Sequence, residues 1–350
     1  MVNYDDFSYA VKVFNPNNRV ILDDRGNPSV MVGIPKTNAT DVITGAASRT
    51  LPSHIVNAVE RDMMYIGKYQ AIVRDSRAYS LPGEDPANTI NFDASLAACR
   101  AKGAGWGLTP FSLWATIALL CKANGFQPNG NNNYGADISA PWEKGEPAIK
   151  ETSGAFRTLR TKTGSGPKSW YHNNDMSGIA DLCGNVWEWL AGMRTLSGEI
   201  NIIPNADVML ADVLLTAASN FWQALDENGN YIAPGTAGSL KFDGVNPIKV
   251  VKTQTATTAQ SSRLFGQIAA GADVAAIPQI LQELALVPAD TTVESYNGDA
   301  VWINYTDERL PYRGGSWIYG VRAGVFALSL NNARSLVDSY IGFRPAFCDL

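Results

Sequence analysis

DLCGNVWEW, residues 181–189, is the stretch on which the fold of this 350-residue chain turns. Gly184 and Asn185 are the residue types that enter tight or left-handed turns at least cost. After them, Val186, Trp187 and Trp189 surround Glu188 in the pattern of a short strand whose large apolar side chains pin a core. Two further blocks share this character: RGGSW at 313–317 and IGFRPA at 341–346, the last close to the C-terminus. Arg313 and Arg344 suit internal donors, because one guanidinium can satisfy several loop carbonyls at once. The three blocks therefore read as parts of one core, although more than a hundred residues separate the first from the second.

Between the first two blocks, residues 196–305 differ in character, being rich in Ala and Thr and sparse in aromatics, as expected of an insertion. Helical periodicity runs around 208–225 and again over 275–286, and DENGN at 226–230 signals a hairpin. Upstream of the first block two helices are marked by their ends. Asn91 or Asp93 caps 94–102 (ASLAACRAK) with Gly103 beyond it, and Thr109-Pro110 opens an apolar helix over 111–123, closed by Asn124-Gly125. The segment 54–73 reads as strand, above all in its β-branched and aromatic second half. Residues 1–40 suggest a hairpin-like N-terminal arm for docking or oligomerisation, its apolar runs 20–22 and 30–32 separated by DRGNP. Loops rich in Gly and Asn lie at 129–134 and 163–167. The remaining body, 41–350, reads as one α+β domain.

Composition narrows the function. A chain of this length buries a sizeable core without metal or disulfide staples. Charged residues make up 17%, and the chain holds 31 Gly, 9 Trp and 13 Tyr, a balance closer to adhesive, turn-rich folds than to helical enzymes. A net charge of −5 with no basic run argues against nucleic acid as a partner. No stretch is long and apolar enough for membrane insertion, and the first ten residues carry no export signal. Cys99, Cys121, Cys183 and Cys348 are widely spaced and read as buried free thiols rather than zinc ligands.

Taken in order, the three blocks resemble the formylglycine-generating-enzyme branch of the C-type lectin fold, over roughly 30–195 and 306–350. WGLTP at 106–110 with Trp114 agrees more weakly with the same family. The resemblance implies a C-type-lectin-like domain interrupted by the insertion at 196–305. It also implies a possible structural calcium held by Asp181, Gly184, Val186 and Glu188, whose oxygens suit a hard cation. Glu188 could equally pair with an arginine or a backbone amide. The family's oxidase chemistry needs two cysteines after the GGS block, and their matched positions hold Tyr319 and Gly324. Without a thiolate there, the reaction is not inherited, and no catalytic residue is assigned.

The segment 313–350 resembles the variable region of proteins diversified by retroelements, in which template adenines are copied unfaithfully. The resemblance implies a fixed frame of Gly314, Gly315, Trp317, Gly320, 323–328, Ala333, Gly342 and Phe343. It implies ligand contacts at Ile318, Tyr319, Val321, Arg322, Ser329, Leu336, Val337, Asp338, Ser339 and Tyr340. Randomised Asn codons cannot yield Lys, Glu, Gln, Met or Trp, and none of these occurs over 318–350. Ten arbitrary side chains are tolerable only on exposed positions of a rigid frame, since a core would suffer cavities or unpaired polar groups. The expectation is a receptor-binding protein at a phage tail-fibre tip, in the virion. Its partners would be a host-cell surface protein or glycan and a tail-fibre component, and it would form a possible homotrimer. A bacterial surface adhesin and an enzyme of altered chemistry are the alternatives.

Overall fold

The computed structural model describes residues 4–244, 246–290 and 296–350. Residues 1–3 of the expected arm, and 245 and 291–295 of the expected insertion, lie outside the described residues. The three blocks meet in a single six-stranded sheet, ordered Gln260–Leu264, Ala300–Ile303, Gly324–Leu330, Tyr312–Gly314, Trp187–Trp189, Ile341–Phe343. Trp187–Trp189 pairs antiparallel with Tyr312–Gly314, Trp189 opposite Tyr312. On its other side it runs parallel to Ile341–Phe343, Trp187 opposite Ile341. Gly184 and Asn185 precede it with φ of +74° and +60°. A Cβ at Gly184 would overlap the Asn131 carbonyl, so only glycine admits this approach.

Strand alternation sends side chains to the two sides of this sheet. Trp187, Trp189, Tyr312, Ala327, Ile341 and Phe343 join one apolar cluster, while Phe326, Leu328 and Leu330 join the main core. That core is organised around helix Phe111–Ala123, which is apolar on nearly every side because it is buried on nearly every side. Trp114 on this helix donates its indole N–H to the Val325 carbonyl at 2.8 Å, tying helix to sheet.

The last block continues into Pro345–Phe347, which enters a second, five-stranded sheet between Met63–Gly67 and Trp106–Leu108. Arg344 sits where the chain passes from one sheet to the other, fully buried. It donates to both oxygens of Glu188 at 2.6 Å and to the carbonyls of Gly67 at 2.8 Å and Ala180 at 3.0 Å. Arg313, also fully buried, donates to the carbonyls of Phe326 and Ala285 and lies over the Phe111 ring. Both arginines are fold-internal donors, as their setting in the sequence suggested. All four cysteines are free and buried.

The architecture is mixed α+β. Helix Phe111–Ala123 has the predicted bounds, and the other marked helix spans Phe92–Arg100, capped by the Asn91 side chain on the Ala94 N–H at 2.9 Å. The Arg19–Leu22 and Pro28–Pro35 hairpin is present, but it is not a separate arm. Pro28–Pro35 pairs with Met63–Gly67, so the hairpin forms one side of the five-stranded sheet, preceded by helix Tyr4–Phe14. The 54–73 segment is strand at Met63–Gly67 and Ala71–Arg74, with the short hairpin Ile55–Val56 and Val59–Glu60 before them.

Two helix expectations are overturned in the central region. Over 208–225 only a short 3-10 turn, Asp207–Met209, and a strand, Gln223–Leu225, form. The backbone carbonyls that a helix would consume are taken by distant side chains. Arg100 bonds those of Val208, Leu210 and Val213, Arg334 that of Leu215, and Arg194 that of Ala217. Over 275–286 the helix is limited to Gln279–Glu283, because Pro278 holds the preceding residue extended. The 226–230 hairpin forms as read, joining Gln223–Leu225 to Tyr231–Ile232. These strands belong to an eight-stranded sheet that also takes Met193–Leu196 and Glu308–Arg309. Ala300–Ile303 leaves that sheet to pair with Gly324–Leu330, so the end of the 196–305 segment lies inside the sheet of the three blocks.

Candidate ligand-binding face

After Tyr312–Gly314 the chain turns through Ile318 and Tyr319 into a 3-10 turn, Gly320–Arg322, before strand Gly324–Leu330. A loop at 331–340 then leads to Ile341–Phe343. Ile318, Val321 and Val337 are 48%, 59% and 50% exposed, large values for apolar side chains. Arg322 and Ser339 are also exposed, and Tyr319, Leu336, Asp338 and Tyr340 are half-buried. The frame beneath them is closed. Gly314, Gly315, Trp317, 323–328, Gly342 and Phe343 are buried. Gly315 has φ +87° and faces Ala323 so closely that a Cβ would overlap it.

The turn and loop are fastened by main-chain hydrogen bonds, at the variable positions 338–340 and at the frame positions Trp317 and Gly320. The carbonyl of Asp338 accepts from Thr89 N–H at 2.8 Å, that of Ser339 from Arg160 at 3.2 Å, and that of Tyr340 from Trp187 N–H at 2.8 Å. On the other side, Tyr134 N–H donates to the Trp317 carbonyl at 2.8 Å and Gly320 N–H to the Asn132 carbonyl at 2.9 Å. A main-chain hydrogen bond does not depend on which side chain the residue carries. The backbone course can therefore persist while side chains change.

An aromatic floor lies under this loop. Trp187 meets Trp302, Tyr312 and Tyr319 edge to face at 5.5, 5.1 and 5.1 Å, and Trp302 meets Tyr319 at 5.3 Å. Tyr340 contacts Trp317 at 6.3 Å. Tyr319, Leu336 and Tyr340 pack on the same cluster. Trp302 comes from the 196–305 segment and was not singled out in the sequence. Its alternation with Val301 and Ile303 was the available signal. Of the residues that brace the face, 132–134 were read only as part of a Gly/Asn-rich loop, and 85–90 carried no reading.

Ser329 corrects the expectation of ten exposed positions. It is 3% exposed, within Gly324–Leu330 and opposite Trp302 and Tyr312, with its hydroxyl on the Tyr312 phenol. It belongs to the covered floor, because the large side chains of its cross-strand neighbours Trp302 and Tyr312 flank it on the same face.

The residues nominated for calcium are not arranged for one. Glu188 spends both carboxylate oxygens on Arg344 and one also on Gln70 Nε2 at 3.1 Å. The same Gln70 amide donates to the carbonyls of Val186 at 3.0 Å and Asp181 at 3.3 Å. Asp181 is itself buried, accepts from Gly164 N–H at 2.7 Å, and is pushed up to about 6 by desolvation. A guanidinium and an amide thus occupy the oxygens a cation would need, and among the described residues no group of three His, Cys, Asp or Glu side chains is placed to hold a metal.

Of the two positions matched to the oxidase cysteines, Tyr319 belongs to the aromatic cluster. Gly324 faces the carboxylate of Asp299, which would overlap any Cβ there. Asp299 is 1% exposed, accepts from Phe326 N–H at 2.7 Å, and is driven well above the usual carboxylate range by burial. A carboxylate from the 196–305 segment therefore fills the space a thiol would require.

No protein-family model and no curated protein matches this sequence. Among solved structures the chain is similar to Treponema denticola variable protein 1, at 12% identity and a TM-score of 0.36, covering 95% of this chain and 99% of that one. It is also similar to the U1 and P3c variants of the Major Tropism Determinant, at 11% and 10% identity and TM-scores of 0.33, covering 94% of this chain and 71% of each. At such identity and TM-score the likeness stands as an observation, and the face described above rests on this chain's own sheet and hydrogen bonds. The chain is a mixed α+β protein, and the solved structures it is similar to are those variable proteins.

Proposed function

We propose that this chain is a retroelement-diversified receptor-binding protein, a C-type-lectin-like scaffold of the formylglycine-generating type with an insertion at 196–305. It binds a host-cell surface ligand through the nine nominated residues other than Ser329, without catalysis, from a phage tail-fibre tip in the virion. One observation carries the reading: the loop holding these residues is fastened by its own carbonyls, while Ile318, Val321, Arg322, Val337 and Ser339 are exposed and Tyr319, Leu336 and Tyr340 pack partly exposed on a buried frame. Tyr319 and Tyr340 supply rigid, amphipathic contact area of the kind that dominates binding hot spots. Helix Tyr4–Phe14, with Tyr9 72% and Val13 66% exposed one turn apart, is the proposed contact to a fibre component or to the other copies of a homotrimer.

The test is adhesion of the purified chain to host cells before and after replacing residues 318–340 by those of another variant. Loss of adhesion with unchanged melting temperature supports the reading, whereas unchanged adhesion overturns it. A second genomic copy of the 313–350 coding segment, with Asn codons at the exposed positions, is the independent check on diversification.

A further inference from the structure

Asp338 is the one carboxylate among the ten nominated positions, and its setting is specific. Its main chain is fixed from two sides, its carbonyl accepting from Thr89 N–H at 2.8 Å and Ile341 N–H at 3.1 Å. The carboxylate accepts from Ser339 Oγ at 3.4 Å and stands beside the Tyr340 phenol, whose pKa is raised by burial and by this charge. Around it stand the phenols of Tyr312, Tyr319 and Tyr340, of which the last two are half-exposed. Burial pushes all three phenols upward in pKa, and the negative charge of Asp338 adds to this in each.

The nearby cations are committed elsewhere. Arg334 binds Glu308, Asp93 and the Leu215 carbonyl, and Arg160 binds Asp85 and the Ser339 carbonyl. Among the described residues no Lys, Arg or His lies within ion-pair distance of Asp338, Arg322 included. An anion held in place beside electron-rich rings, with no counter-charge of its own, is complementary to a cation that can lie on the ring faces. Trp187, Trp302, Trp317 and Tyr312 are each under 10% exposed, so the rings of this cluster open to a ligand are those of Tyr319 and Tyr340.

We infer that, in this variant, the face recognises a basic side chain of a protein partner, whose charged group sits against Asp338 between Tyr319 and Tyr340. This deepens, and rests on, the binding-face reading of the preceding section. A neutral glycan can offer the carboxylate hydroxyl hydrogen bonds but no counter-charge, whereas an arginine or lysine side chain gains hydrogen bonding, ion pairing and ring contact.

The probe is Nα-acetyl-arginine amide, compared with its neutral isostere Nα-acetyl-citrulline amide and with methyl mannoside. Each is titrated into the full chain while the indole N–H resonances of Trp187 and Trp302 are followed. The expected result is a saturable shift with the arginine probe, at least about fivefold weaker with citrulline, weaker in 0.5 M salt, and about fivefold weaker in Asp338→Asn. Equal shifts with citrulline or the mannoside, no saturable shift with the arginine probe, or an unaltered titration in Asp338→Asn overturns the inference. Cell adhesion separates this from failure of the parent reading. If Tyr319→Ala with Tyr340→Ala abolishes adhesion while Asp338→Asn does not, the face stands and the cationic partner falls. If neither affects adhesion, the face itself falls.

Discussion

Replacing Arg344 by Met tests the joint between the two sheets. Met keeps much of the volume but removes the guanidinium from the Glu188 carboxylate, leaving that carboxylate fully buried and answered only by the Gln70 amide. Breaking a buried pair by deleting one partner costs about 3–5 kcal/mol. The carbonyls of Gly67 and Ala180 lose their donor as well, so the upper end applies. At about 2.1 cal/mol/K per residue, unfolding 350 residues has an entropy of about 0.7 kcal/mol/K, so a loss of about 5 kcal/mol lowers Tm by about 7 °C. Differential scanning calorimetry with and without calcium is the assay. Converting Glu188 to Leu in the same chain is expected to recover a large part of the loss, because an apolar pair no longer contains a buried charge. A shift below about 1 °C would refute the claim that this pair joins the sheets. A wild-type Tm that rises with calcium and falls with chelator would refute the assignment of Glu188 to arginine rather than metal.

Other predictions follow from the same geometry. Asp181 is held protonated to about pH 6 in the fold but ionises near 3.8 when unfolded, so the native state binds the extra proton between those values and stability falls as pH rises through that window. Asp181→Asn, tolerable at φ +60°, should therefore gain on wild type by up to about 3 kcal/mol between pH 4 and pH 7 in urea titrations. A flat difference across that range would contradict the buried carboxyl. Ser329→Tyr should destabilise by about 1–3 kcal/mol through overpacking, while Val337→Tyr leaves Tm within about 1 °C. Equal tolerance at both sites would return Ser329 to the exposed set. Gly324→Cys should lower Tm because its Cβ meets Asp299, and adding Asp299→Ala should restore part of the loss. A Gly324→Cys chain as stable as wild type would show that this space is not filled.

The sequence alone determined the frame of this protein: the turn at Gly184-Asn185, the alternating Trp187 and Trp189, the two internal arginines and the helix over Phe111–Ala123. Each is set by local chemistry, such as a residue that admits positive φ, a period of two, or a Pro that can open a helix. The division of the C-terminal segment into frame and variable side chains came instead from the resemblance to diversified variable regions, and five of the ten nominated side chains are exposed, namely Ile318, Val321, Arg322, Val337 and Ser339. Tertiary structure decided the rest. The apolar periodicity of 208–225 did not become helix because Arg100, Arg194 and Arg334, distant in sequence, took its carbonyls. Ser329 left the surface because strands from two other parts of the chain set Trp302 and Tyr312 on either side of it. Glu188 chose Arg344 over a cation, and Asp299 took the space at Gly324, through contacts that no local pattern encodes. Side-chain hydrogen bonds and strand neighbours are long-range choices, and they set which residues form the face and which lie beneath it.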